Sequence, residues 1–115
     1  MKTANPHSYV LAVFGSKWTF SVAAALRGRV VRFGALRLEQ GNISQKTLSS
    51  SLKLLEQQGL VVRRQYATIP PRVEYSLTRM GEEVMARLVP LSDLMGKARQ
   101  KHLLHPEKRR SFPNG

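Results

Sequence analysis

Five polar residues, Lys46, Ser49, Ser50, Lys53 and Gln57, recur at helical spacing within the stretch Ser44–Gln58. At about 100° per residue they share one side of a helix, while Leu48, Leu52 and Leu55 cluster within ~60° on the other. A solvated helix face normally mixes charges of both signs. This one carries two lysines, two serines and a glutamine, with no acid among them. Ammonium, hydroxyl and amide groups hydrogen-bond phosphate oxygens and base edges, whereas a carboxylate there would repel phosphate. Taken alone, the pattern is equally that of an ordinary solvated helix, so its neighbours in sequence decide its meaning.

Those neighbours supply further cations. Arg63 and Arg64 leave a strand-like run in opposite directions, so only one of them readily faces DNA. The sequence leaves that choice open, and Arg64 is carried forward as the candidate. Arg72 lies just past a loop tip containing Pro70 and Pro71. Guanidinium groups at such a tip bind phosphates or enter a minor groove; alternatively, they are edge charges that discourage sheet-to-sheet aggregation. Lys17 and Thr19 follow Ser16, a helix-capping residue, and a helix amino terminus attracts phosphate through its free N–H groups. Trp18 beside them reads as core.

No catalytic set emerges. Acids are few and scattered, and no glycine-rich phosphate loop follows a strand. The sequence has no cysteine, which excludes from this chain disulfides, thiolate nucleophiles, cysteine zinc sites and thiol redox sensing. His102 and His105 have a spacing that can suit a metal, but no third ligand accompanies them. Neither a metal nor a cofactor is expected.

The elements that must position these residues can be read in order. Residues 1–7 read as a flexible start ending near Pro6. The apolar run Ser8–Phe14 suits a packed helix, broken by Gly15. Ser16 caps a second helix to about Arg27, with Trp18, Val22, Ala25 and Leu26 on one face and Gly28 as its stop. Arg29–Arg32 is a brief extended segment that could pair with a later hairpin. Phe33–Gln40 reads as a short helix with Phe33 and Leu36 inward, and Gly41–Asn42 is a turn. Ser44 then caps the helix to Gln58, which Gly59 closes. A short helix, a glycine turn and a longer helix are the proportions of a helix-turn-helix. Val61–Tyr66 and Arg72–Leu77 form a hairpin, with Val73, Tyr75 and Leu77 on one face and the prolines stiffening a projecting tip, Ala67–Pro71. This is a wing. Thr78 caps a last helix whose residues Val84, Leu88, Leu91, Met95 and Ala98 make an apolar seam suited to another helix. Pro90, inside it, should kink or divide the helix. From about Gln100 the chain turns basic and polar and is expected to fray.

The 115 residues leave room for one domain, here 8–99, between the flexible start and a basic tail at 100–115. The fold class is α+β, mainly α. Nineteen Lys and Arg against seven acids give a net charge of +12. That excess predicts an anionic partner, nucleic acid before membrane surface. The field lies forward: through Arg72 there are 11 basic residues and two acids, Glu39 and Glu56. No stretch of ~20 apolar residues could span a membrane and no signal peptide is visible, so a cytoplasmic, nucleoid-associated protein is expected.

Several strings, met in this order, resemble the HxlR-type winged helix-turn-helix regulators. They are GSKWT (Gly15–Thr19), RFGALR (Arg32–Arg37), ISQKTL (Ile43–Leu48), LLEQQGLVVR (Leu54–Arg63) and PPRVEYSLTRMG (Pro70–Gly81), and the last is the most specific. The resemblance covers residues 8 to about 95 and implies a bacterial or archaeal homodimeric transcription factor. It implies that the first and last helices form the dimer interface, here Val10, Leu11, Val13 and Phe14 with Val84, Leu88, Leu91 and Met95. It also implies paired recognition helices on an inverted repeat, with contacts from Gln45, Lys46, Thr47, Ser49 and Ser50 and from the wing at Pro70–Arg72; Ser44, at the amino end of that helix, is a further candidate for DNA contact. Many members sense electrophiles or oxidants through a cysteine near the first helix, and this chain has none. Any small-molecule effector is unknown.

Two other readings compete. A basic architectural protein that coats DNA with little sequence preference would also carry +12. An adaptor for protein or RNA would place acids on the outer face of Ser44–Gln58, and none is present there.

Overall fold

A computed structural model describes residue 5 and residues 7–104. The expectations of a flexible start and a basic tail fall largely on residues outside this range. The contacts divide the chain after Met85.

The first unit opens with α1 (Ser8–Phe14), followed by α2 (Lys17–Ala25), whose amino end is capped by Ser16 accepting from Trp18 N–H at 3.3 Å. The buried stripe of α2 is Thr19, Val22, Ala23 and Leu26, an i, i+3, i+4, i+7 set. The expected stripe was rotated by about one residue: Trp18 and Ala25 are only half-buried. β1 (Val30–Arg32) leads directly into α3 (Phe33–Glu39), which buries Leu36. Gly41 and Asn42 take positive φ, +74° and +57°, as the tight turn requires. The Arg37 side chain fastens this turn by donating to Ile43 O at 2.7 Å. α4 (Gln45–Gln57) has Ser44 as its cap and buries Leu48, Ser51, Leu52 and Leu55.

Two strands follow, β2 (Val61–Tyr66) and β3 (Arg72–Leu77). The antiparallel sheet has the order β1–β3–β2, so the brief extended segment does pair with the hairpin. Val31, Tyr75 and Arg63 lie in one cross-strand row, as do Arg32, Glu74 and Arg64. Val31 and Tyr75 are buried, which makes the first row's face the inner one and puts Glu74 and Arg64 on the outer one, whereas Arg32, at the end of β1 where the chain turns into α3, does not follow them. Phe33 and Tyr75 meet with ring centroids 6.3 Å apart, joining α3 to the sheet. Arg29 and Glu39 form a two-pronged ion pair at 2.9 and 2.8 Å. These hydrogen bonds, helped by the guanidinium charge and opposed by partial desolvation, hold the Glu39 carboxyl below its ordinary pKa.

α5 (Arg79–Leu104) starts in this unit and supplies all the described residues of the second. It runs through Pro90 as one helix, so the proline does not divide it. A proline removes one backbone hydrogen bond, and the bonds on either side can carry a long helix across that gap. The helix also extends to Leu104, past the expected fraying point near Gln100. Val84 and Leu88 are half-buried, whereas Leu91, Leu94 and Met95 are exposed. No described helix is long and apolar enough to cross a membrane.

Candidate nucleic-acid interface

The amphipathic pattern of Ser44–Gln58 becomes an exposed polar ridge. Gln45, Lys46, Ser49, Ser50 and Lys53 are all exposed, with the leucines fully covered behind them. Ser44 is spent largely on the helix itself. Its hydroxyl accepts from Thr47 N–H at 3.0 Å and donates to Thr47 Oγ1 at 2.8 Å, leaving Thr47 half-buried. One acid, Glu56, is also exposed on α4, near its carboxyl end and away from the amino-terminal half that approaches the wing.

Between that half of α4 and the wing lies a cleft of about 610 Å³. Gln45 and Ser49 line one wall, and Thr68, Ile69, Pro70 and Pro71 line the other. Phe33, Val73 and Tyr75 add apolar surface. Arg32, Arg63 and Arg72 contribute three cations, and no acid among the described residues lines it. A concave, cationic trough beside a projecting polar helix suits a strand of phosphates.

The strand register decides between the two wing arginines, and it reverses the sequence choice. Arg63 shares the inner face and lines the cleft, donating to Gln65 Oε1 at 3.1 Å. Arg64 projects from the outer sheet face, beside Val30, Val62, Tyr66, Glu74 and Ser76. The sequence shows that the two diverge, but not which side the first helix-turn-helix elements occupy.

Arg72 is held rather than free. Its guanidinium stacks over the Tyr66 ring, 4.2 Å from the centroid, and its Nε sits 3.4 Å from Glu74 Oε2. At that separation the pair is ionic without being hydrogen-bonded, and Nε, though buried, has no hydrogen-bond partner. Thr19 is corrected outright: it is 2% exposed and belongs to the core stripe of α2, so it cannot meet phosphate. Lys17 is exposed, with its ammonium 5.2 Å from the Trp18 ring centroid. Arg32 was missed. Its place at the junction of β1 and α3 could have been suspected from RVVR preceding a helix, but its proximity to the wing depends on the β1–β3 pairing.

Of the residues expected between two copies, Val10 and Leu11 are exposed and Phe14 is half-buried with its ring 6.0 Å from Phe20. Val13 is a correction: at 6% exposure it is buried within its own chain, lying ~200° round the helix from Leu11. Among the described residues no cluster of three metal-ligating side chains exists. His102 is exposed on α5, and His105 lies outside the described range.

Comparison with known proteins gives these features a family. The model of the HxlR-like helix-turn-helix family matches residues 13–103. A protein of Escherichia coli strain K12, named HTH-type transcriptional regulator YtfH, is 42% identical over 88 residues, covering 76% of this chain and 70% of its own. The solved structure of the transcriptional regulator of the same name from Salmonella typhimurium superposes with a TM-score of 0.76 at 38% identity, covering 90% of this chain and 92% of that one. The redox regulator HypR in its reduced form also gives a TM-score of 0.76, at 31% identity, covering 86% and 97%. The chain belongs to the HxlR-like helix-turn-helix family: it is a DNA-binding transcriptional regulator and not an enzyme.

Proposed function

We propose that the protein acts as a cytoplasmic homodimer that sets α4 of each copy into the major groove of an inverted-repeat operator. The observation that carries this reading is the acid-free amino-terminal half of α4, whose Gln45 and Ser49 line a wing cleft together with Arg32 and Arg63. Gln45, Lys46, Ser49, Ser50 and Lys53 would meet base edges and phosphates, while the wing tip at Pro70 and Pro71 follows the adjacent backbone. The exposed apolar residues Val10, Leu11, Leu91, Leu94 and Met95 support a helical interface with a second copy. Half-sites would then lie about one helical turn, ~10 bp, apart or at a multiple of it. HypR is named a redox regulator, but the absence of cysteine means that this chain's own residues cannot sense by thiol chemistry.

Selection from a random duplex pool tests the proposal. A palindromic motif whose complex survives excess random DNA is the expected result. Recovery of sequences without a motif, and loss of the complex to competitor, would establish a coating protein instead.

A further inference from the structure

Tyr66 and Arg72 are the last cross-strand pair of the hairpin, opposite each other where β2 and β3 give way to the tip. Directly opposed residues share a sheet face, so the register itself brings ring and guanidinium together. The guanidinium carbon lies 4.2 Å from the centroid of the Tyr66 ring. Two residues along β3, Glu74 Oε2 stands 3.4 Å from Arg72 Nε, an ion pair without a hydrogen bond.

The arginines of the first unit differ in how they use their hydrogens. Arg29 donates to Glu39 and to Ala25 O, Arg37 to Ile43 O, and Arg63 to Gln65 Oε1. No described residue accepts a hydrogen bond from Arg72, although its Nε is buried. A buried N–H without an acceptor costs free energy, so the ring contact and the ion pair must outweigh that loss to keep the side chain where it is. Glu74 offsets part of the charge but takes none of the hydrogens. The outcome is a guanidinium fixed by its neighbours with its donors unspent, on a side chain that is 34% exposed. Arg72 also lines the cleft between α4 and the wing tip.

A guanidinium presents parallel pairs of N–H groups that match two oxygens of one phosphate. A free arginine loses rotamer freedom when it makes that contact, whereas one already held does not. We infer that Tyr66 is a positioning residue: its ring holds Arg72 in place before DNA arrives, so that the guanidinium takes a backbone phosphate beside the wing without first being ordered. This rests on the DNA-reading wing proposed above.

The test uses the full chain and a duplex that the parent binds, with fluorescence anisotropy over a salt series. The parent is compared with Tyr66→Phe, Tyr66→Leu, Arg72→Ala and the double variant Tyr66→Leu/Arg72→Ala. Nuclear magnetic relaxation at Arg72 Nε follows the side chain in the proteins free of DNA. Tyr66→Phe keeps the ring and should match the parent in both measurements. Tyr66→Leu should set Arg72 Nε moving and weaken binding about two- to tenfold per half-site, the range for ordering one long side chain. Its salt slope should stay parental, because no charge is removed. Arg72→Ala should flatten the slope by about 1.8 for two copies, and in that background Tyr66→Leu should cost nothing further. A loss in Tyr66→Phe would put the hydroxyl itself on DNA and overturn the inference. So would an Arg72 Nε that stays ordered in Tyr66→Leu, or a Tyr66→Leu loss that persists without Arg72. If Tyr66→Leu does not fold, Arg72→Lys decides: it keeps the charge but offers the ring no planar group, and parental affinity in it overturns the inference. A parental slope in Arg72→Ala removes Arg72 from the interface and so overturns the wing contact there as well. A flattened slope in Arg72→Ala with parental affinity in Tyr66→Leu overturns the positioning role alone.

Discussion

Replacing Arg63 and Arg64 separately with alanine should produce unequal losses of DNA affinity, although the two residues are adjacent and alike. Both are exposed, and each replacement lowers the formal charge from +12 to +11, so any loss owed to the general field is matched. Only Arg63 lines the cleft between α4 and the wing; Arg64 lies on the other face of the sheet. One phosphate contact contributes about −0.9 to the slope of log K against log salt, and two copies on one operator double this to about −1.8. The parent should therefore lose about twelvefold more affinity than Arg63→Ala between about 50 and about 200 mM salt. At fixed low salt, each lost charge-assisted hydrogen bond costs about 1.5–3 kcal/mol, more than tenfold per half-site. Arg64→Ala should keep the parental slope. Fluorescence anisotropy on an operator duplex over a salt series gives both slopes directly. Equal slopes for the two variants would reduce the wing to undirected charge. A larger loss for Arg64→Ala would put the DNA on the outer sheet face and refute the proposed interface.

Three further outcomes follow from the packing. Leu52, 1% exposed beneath the α4 ridge, should cost about 2–5 kcal/mol of stability when replaced by alanine, as read by chemical denaturation; a loss under about 1 kcal/mol would contradict its core position. Leu91→Glu combined with Met95→Glu changes two exposed side chains, so sedimentation should show a monomer whose melting transition persists, and a dimer that survives both changes would relocate the interface. The Glu39 pKa is depressed by Arg29, so its contribution to stability is present above the ordinary carboxylate range and fades as pH falls through the lower folded value. Glu39→Gln should accordingly melt below the parent at neutral pH, with the gap closing under acid; a gap that widened under acid would reverse the sign of the linkage.

What could be read from the sequence followed from period and punctuation. Leu48, Leu52 and Leu55 repeat at the helical period, Ser44 and Gly59 mark where that helix starts and stops, and Val73, Tyr75 and Leu77 alternate as a half-buried strand must. Those signals are local, and the structure agrees with each. The misplacements share a different cause. Thr19 lies within the first turn of a nine-residue helix, where one residue of rotation separates solvent from core. Several small and apolar side chains, among them Trp18, Val22, Ala23, Ala25 and Leu26, satisfy either rotation on pattern alone. The resemblance places the whole first helix at the interface, and Val13 goes outward with Val10 and Leu11 because the polar groups of that helix, Ser8 and Tyr9, sit together at its amino end and give it no polar face to orient it.

The wing makes the same point at the level of chemistry. Strand alternation separates Arg63 from Arg64 with certainty, yet which of them faces α4 is a property of the row that Arg63 shares with Tyr75 and Val31, three segments far apart in sequence. The acids obey a similar logic. Glu39 and Glu74 both lie within reach of the basic reading surface in sequence, and either could have weakened it. The fold gives Glu39 to Arg29 and Glu74 to Arg72, leaving the cleft lined by cations without a carboxylate among the described residues. Net charge alone announces an anionic partner; the fold keeps the Glu39 and Glu74 carboxylates off the cleft lining, although Glu74 offsets one of its three cations, which leaves Arg32 and Arg63 as the cations with no acid paired to them in the cleft.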